Sequence, residues 1–148
     1  MIIAYINTEI GPLSITMIDN AVSRIDFVES VDSEIIPSEM ICIADELKDY
    51  LKGERKDFTF DLFIEGTTFQ KQVWSELVNI PYGETRTYKA IAEAIGNPKA
   101  VRAVGGANNK NKIPIVIPCH RVIGADGSLT GYAGGVEIKK ELLRIEKK

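Results

Sequence analysis

At Thr67 the chain changes its period. Upstream, apolar and polar residues alternate in short runs, with Leu13, Ile15 and Met17 opposing Ser14 and Thr16 between the breakers Gly11-Pro12 and Asp19-Asn20. Downstream, Phe69, Val73 and Leu77 recur at every fourth position, which is the period of a helix face. A chain of 148 residues that switches in this way is expected to be α+β, with a sheet-and-helix unit over residues 1–66 and a mostly helical unit over residues 67–148. Charge divides at the same place. Residues 1–66 carry five Lys/Arg against fourteen Asp/Glu, and residues 67–148 carry thirteen against seven. The second unit therefore suits a polyanionic partner, and an acidic neighbour would use the same charge.

In the first unit, residues 2–6, residues 13–17 and a looser run through Ile25 and Phe27 suggest a three-stranded antiparallel meander. A helix is expected over residues 38–52, because Ile43, Leu47, Tyr50 and Leu51 share one face and Gly53 fits a left-handed cap. Cys42 falls inside it and reads as a small buried apolar side chain. Phe58, Phe60 and Leu62 alternate as a further short strand, and Glu65-Gly66 marks the boundary.

The second unit opens on Thr67-Thr68-Phe69-Gln70, a capping-box pattern, with Trp74 assigned to the core. Pro81-Tyr82-Gly83 ends that helix, and Thr87 caps another whose stripe is Ile91 and Ile95 beside Ala90 and Ala94. In Gly96-Asn97-Pro98, Gly96 suits the left-handed end of one helix, Asn97 the cap of the next and Pro98 its first turn. So tight a connection is a helix-turn-helix signature. Its second helix, over residues 98–108, carries Arg102 among the small residues Ala103, Val104, Gly105, Gly106 and Ala107, which permit close approach to a partner helix or a nucleic-acid groove.

The chemistry gathers in residues 113–124, an apolar stretch punctuated by Pro114 and Pro118 that reads as a strand and sets Cys119 beside His120, the one histidine of the chain. A free thiol titrates near about 8.5, so a base or positive charge must assist it. Neighbouring residues of a strand face opposite ways, so direct contact between the two side chains requires a local bend or a bridging water. Cys42 and Cys119 are the two cysteines, and with a single histidine they support neither a disulfide framework nor a zinc tetrad. No metal and no cofactor is expected. The longest apolar stretch, residues 113–119, is far shorter than the roughly 18 residues of a membrane span. The first residues read as a strand rather than an export signal, so a cytoplasmic protein without membrane contact is expected, as a monomer.

Pro118-Cys119-His120-Arg121-Val122 resembles the active-site signature of the O6-alkylguanine-DNA alkyltransferases, the methylated-DNA protein-cysteine methyltransferases. Thr87-Tyr88, Gly96-Asn97-Pro98, the run from Arg102 to Ala107, Asn111 and Gly131-Tyr132-Ala133-Gly134-Gly135 stand in that family's order and spacing, so the resemblance covers residues 67–148. It implies an RNase H-like sheet and helix for the acidic first unit and a winged-helix/helix-turn-helix fold for the second. It further implies direct, irreversible, single-turnover transfer of an alkyl group from O6-methylguanine, and as a further candidate substrate O4-methylthymine, in double-stranded DNA after nucleotide flipping. Cys119 is then the nucleophile. His120 activates it through a water, Glu146 orients the imidazole, and Tyr88 hydrogen-bonds the departing guanine ring. Asn111 braces the active-site turn, the Val122 and Cys119 carbonyls accept from the guanine amino group, Ala133 N–H faces the alkylated oxygen, and Tyr132 walls the pocket. Asn97, Arg102, Ala103 and Gly105 would meet the minor groove, Arg102 filling the gap left by the flipped nucleotide. Lys112, Glu141 and Ile145 depart from the family pattern without removing a relay member. Two rival readings share the helix pair: a non-enzymatic alkyl-lesion binder, whose mark is tryptophan at the nucleophile position, and a winged-helix regulator, which needs no relay.

Overall fold

The computed structural model describes residues 1–129 and 131–147. Strands β1 (Ile2–Thr8), β2 (Gly11–Ile18) and β3 (Ala21–Phe27) form an antiparallel meander in the order β1-β2-β3, with Ile6 opposite Leu13 and Ile15 opposite Ile25. The second turn places Asp19 and Asn20 at φ 51° and 64°, a left-handed pair that short polar side chains tolerate. Leu13 to Met17 of the central strand are all buried, the polar Ser14 and Thr16 included.

A short 3-10 turn at Ser38–Met40 leads into α1 (Ile41–Leu51), which buries Ile43, Ala44, Leu47, Tyr50 and Leu51. Gly53 follows at φ 79°, as its cap position requires. Cys42, expected to be buried, is exposed. It stands about 100° around the helix from Ile43, off the face that Ile43, Leu47 and Tyr50 define. The strand expected at residues 58–62 is also absent. Only Leu62 bridges to the sheet, opposite Val22, while Phe58 stacks on Tyr50 with ring centroids 4.8 Å apart and Phe60 leans on Phe58. The apolar alternation there serves an aromatic cluster beneath an extended segment.

Helix α2 (Thr68–Val78) begins with the capping box in place, Gln70 N–H donating to Thr67 Oγ1 and Thr67 N–H to Gln70 Oε1. Trp74 is buried, and its indole N–H donates to Ala107 O at 2.8 Å, tying α2 to α4 (Val101–Asn109). Between them, α3 (Tyr88–Ala94) is capped by Thr87 and closed by Gly96 at φ 80°. The connection is one turn longer than expected. Asn97 does not cap α4: its carbonyl accepts from Ala100 N–H, so residues 97–100 form a turn and Ala100 stands at the N-cap without a side-chain bond. Pro98 thus lies in the turn and not in the helix.

Residues 113–121 are not a strand. Ile117 N–H donates to Ile113 O, Ile115 sits at φ 76°, and a 3-10 turn spans Cys119–Arg121 before the chain extends as β5 (Val122–Ile123), which pairs in parallel with β4 (Arg86–Thr87). Pro114 and Pro118 lack the N–H groups that a ladder needs, and the buried Ile113, Ile115 and Ile117 draw the loop inward. A β-branched residue in the left-handed region costs on the order of 1–3 kcal/mol, so burial of these side chains holds the loop in a strained form. The last helix is α5 (Val136–Glu146). One continuous apolar cluster runs from Ala4 in β1 to Leu142 in α5, so both halves of the chain share a core. Among the described residues, no helix is long and apolar enough to cross a membrane.

Candidate active site

The bend at residues 118–121 solves the problem that a strand would have posed. A 3-10 turn carries Cys119, His120 and Arg121 inward together, and all three are buried, His120 completely. Cys119 is 5% exposed. Its carbonyl accepts from Val122 N–H and, at 3.3 Å, from Asn108 Nδ2 at the end of α4. That oxygen therefore has two partners within the protein, which leaves little of it for a ligand. Asn111 spans the loop before Cys119: its Nδ2 donates to Ile117 O at 2.8 Å, and its Oδ1 accepts from Ile113 N–H at 3.0 Å.

His120 Nε2 lies 2.7 Å from Glu146 Oε2, and neither side chain has exposed surface. Burial opposes the Glu146 charge, but bonds from His120, Arg121 and Tyr50 prevail and bring its pKa to about 2. An ionised carboxylate only accepts, so His120 Nε2 carries the proton and Nδ1 is the basic nitrogen. Nδ1 is buried and makes no hydrogen bond to the described protein atoms. Burial also holds the imidazole pKa below its ordinary value, against the pull of Glu146. Cys119 moves the other way. Burial pushes its thiol up to about 11, opposed by a hydrogen bond from the Asn111 side chain and by the charge of Lys139. The resting pair is thus a thiol beside a neutral imidazole, as a low-dielectric interior favours.

Behind Glu146 stand residues to which the sequence reading gives no role in the site. Arg121 donates through Nε to Glu146 Oε1 at 2.9 Å, through Nη2 to Oε2 at 3.0 Å and through Nη1 to Ile80 O at 2.7 Å. Tyr50, from α1, donates its hydroxyl to Glu146 Oε2 and accepts from Arg121 Nη2 at 3.1 Å. Lys139 is fully buried two turns earlier on α5, its Nζ 5.9 Å from the Tyr88 ring centre. The spacing of Lys139, Leu142 and Glu146 on a single helix stripe was the available signal, but apolar templates pass over charged members.

The other candidates fall into two groups. Tyr88 heads α3 half-buried, against Lys139, and Gly105 of α4 faces its ring, 3.9 Å from the nearest ring carbon to the position a Cβ would take. Tyr132 is buried, edge-on to Phe27, with a hydroxyl that has no hydrogen-bond partner among the described residues, and Val122 is fully buried. Ala133 is exposed and borders a cleft of about 530 Å³ shared with Phe27, Asn109 and Asn111. Gly131 stands at φ 67° against Asn109, whose amide would lie 2.8 Å from a Cβ there, so a side chain at this position would strain the backbone and displace the Asn109 amide. Asn97 in the turn before α4, and Arg102 and Ala103 on α4, are exposed. Among the described residues, no group of three His, Cys, Asp or Glu side chains is placed to hold a metal ion. Of the departures, Lys112 offers its carbonyl to Ile25 N–H, Glu141 pairs with Arg144, and Ile145 is buried in the core.

A buried cysteine beside a buried histidine–carboxylate pair, tied through Asn108 to a helix of small residues whose Arg102 and Ala103 are exposed, is an arrangement suited to thiol chemistry next to an open helix surface. The chain belongs to the 6-O-methylguanine DNA methyltransferase family, whose DNA-binding-domain model matches residues 68–148. The methylated-DNA–protein-cysteine methyltransferase of Methanosarcina barkeri is 48% identical, over 95% of this chain and 94% of its own. The constitutive Bacillus subtilis enzyme of that name is 57% identical over 103 residues, 70% of this chain and 62% of its own. The crystal structure of Mycobacterium tuberculosis OGT in complex with DNA superposes with a TM-score of 0.90 at 43% identity, covering 98% of this chain and 92% of that one.

Proposed function

We propose that this protein repairs DNA by taking the alkyl group of O6-methylguanine onto Cys119 in a single turnover. The observation that carries this reading is the placement of His120 Nδ1. It is the buried, unprotonated nitrogen of a ring fixed by Glu146, one residue from a buried thiol. Family membership supports it, because relatives across nearly the full length carry the methyltransferase name.

The duplex meets the exposed side of α4 through its minor groove, where Ala103 allows close approach and Gly105, turned toward the Tyr88 ring, adds no side chain, while Asn97 lies at the helix junction and Arg102 takes the place of the flipped nucleotide. Tyr132 walls the flipped base, and Ala133 N–H and the Val122 carbonyl face its polar edge. Cys119 gives its proton through a water to His120 Nδ1, and Glu146 offsets the imidazolium charge. The thiolate sulfur then bonds to the alkyl carbon as the carbon–O6 bond breaks. The electron pair passes to the guanine ring, where the Tyr88 hydroxyl stabilises it. The thioether is stable, so each molecule reacts once, and nothing beyond the protein and its DNA is consumed. No cofactor or metal takes part, and the protein acts as a monomer in the cytoplasm. Cysteine in place of tryptophan at position 119 separates this chain from a lesion binder without chemistry, and the relay separates it from a sequence-reading regulator.

Intact-protein mass with peptide mapping, after incubation with a duplex carrying one O6-methylguanine, tests the reading. One methyl on Cys119, at most one per molecule and none on Cys119→Ser, is the expected result. Lesion-selective binding without mass gain would overturn it in favour of a damage sensor.

A further inference from the structure

Tyr50 lies in the acidic half, 96 positions before Glu146, yet its hydroxyl bonds to the carboxylate that holds His120. Its ring is fixed without that bond. It is stacked on Phe58, with centroids 4.8 Å apart at 30°, and edge-on to Tyr82 at 5.8 Å and 85°. A phenylalanine would satisfy the same packing, so the hydroxyl serves only the polar cluster, where it donates once, to Glu146 Oε2, and accepts once, from Arg121 Nη2. Oε2 is the oxygen that His120 Nε2 also contacts. His120, Tyr50 and Arg121 therefore compete for the same lone pairs.

We infer that Tyr50 is a positioning residue of the transfer site, acting through Glu146 to limit how strongly that carboxylate draws on the imidazole, and so keeping His120 Nδ1 available as a base. The inference rests on the alkyl-transfer reading of the site. The physical reason is that a hydrogen bond to an ionised carboxylate disperses its charge and lowers its basicity. Burial and the Glu146 charge keep the phenol protonated at any working pH, so its donor is permanent. Arg121 shares the task but also anchors Ile80 O, whereas Tyr50 touches the cluster through one atom. The charged or titratable groups facing His120 and Glu146 are Cys119, Arg121, Lys139, Tyr50, Tyr82 and Tyr132. Of these, Tyr50 comes from α1, so the first half of the chain takes part in the chemistry of the second.

The test uses Tyr50→Phe, with Phe58→Leu as a control that loosens the same aromatic packing without touching Glu146. Because His120 is the only histidine, its imidazole nitrogens can be followed by NMR in the intact protein as pH is varied. In Tyr50→Phe the His120 titration is expected to move up by roughly half to one pH unit. The ascending limb of the single-turnover rate against pH is expected to move with it. Phe58→Leu is expected to lower Tm and leave the titration in place. An unmoved titration in Tyr50→Phe, or equal movement in both variants, overturns the inference. The NMR reading stands even if no methyl is transferred, in which case the functional reading fails by itself.

Discussion

The outer side of α4 and the cluster behind Cys119 are built on opposite terms. Arg102 and Ala103 are exposed and enter none of the ion pairs of the described residues, whereas Glu146 has no exposed side-chain surface and accepts from His120, Arg121 and Tyr50. Outside, among the described residues, no buried polar network ties these two to the rest of the fold. Inside, one carboxylate holds three elements together, so chemistry and stability cannot be altered separately.

Glu146→Gln gives the sharpest contrast. It leaves the buried Arg121 guanidinium without its carboxylate, and breaking one side of a buried pair costs about 3–5 kcal/mol. For a chain of this length that lowers Tm by roughly 10 °C, and it also removes the group that fixes the His120 tautomer. Thermal unfolding and methyl transfer should therefore fail together. A variant with unchanged Tm and lost transfer would break the comparison. Arg102→Ala should do the opposite, leaving Tm unchanged and slowing transfer from duplex DNA by about 10- to 100-fold, because the cost of unstacking, a few kcal/mol, loses its compensation. Transfer from the same lesion in a single strand, where little unstacking is needed, should change far less. Equal losses on both substrates would show that Arg102 serves something other than the flipped base.

Acid separates the regions by a smaller amount. The folded-state pKa of His120 lies below its ordinary 6.5, so as pH falls through 6.5 the unfolded chain takes up a proton that the folded chain refuses, and stability declines. Glu146 has a folded pKa of about 2 against an ordinary 4.5, so its contribution is present above 4.5 and is lost between those values. Two successive losses are expected in urea midpoints measured at decreasing pH. His120→Gln should abolish the first, worth about 1.4 kcal/mol for each pH unit below 6.5 until the folded histidine titrates. Arg102→Ala should follow the wild-type curve throughout.

How much of this could be read from the residues depended on whether a signal was local. The meander, the Thr67 capping box, the Thr87 cap and the glycine caps at 53 and 96 are local patterns, and each stands where its side chains put it. The strand expected at residues 113–124 failed because Pro114, Pro118 and the left-handed Ile115 turn the chain, and burial of three isoleucines overrides their β preference. Asn97 misled because a good N-cap residue followed by proline also suits a turn, and the turn won. In the site, the Cys119-His120 pair was visible as neighbours in the motif and Glu146 through family resemblance. Tyr50, Arg121 and Lys139 were not distinguished, since burial of a charge or a hydroxyl depends on elements brought together from distant parts of the chain.

The two cysteines carry the comparison to its smallest effect. Cysteine is often buried, which is the ground for expecting Cys42 in the interior, yet it is exposed and lies off the buried face of α1. Cys42→Ala should change stability by no more than about 0.5 kcal/mol, with a slight gain from helix propensity. Iodoacetamide should reverse the ranking of importance. At pH 8 a thiol whose pKa is about 11 is ionised to about one part in a thousand, and Cys119 is also covered, so in the DNA-free protein the reagent should mark Cys42 first and leave Cys119 intact. The protein so labelled should still accept one methyl from O6-methylguanine DNA, as should Cys42→Ala. Faster labelling of Cys119 would mean that its thiolate forms before any substrate arrives, and the resting site would then be an ion pair and not the neutral pair that its burial requires.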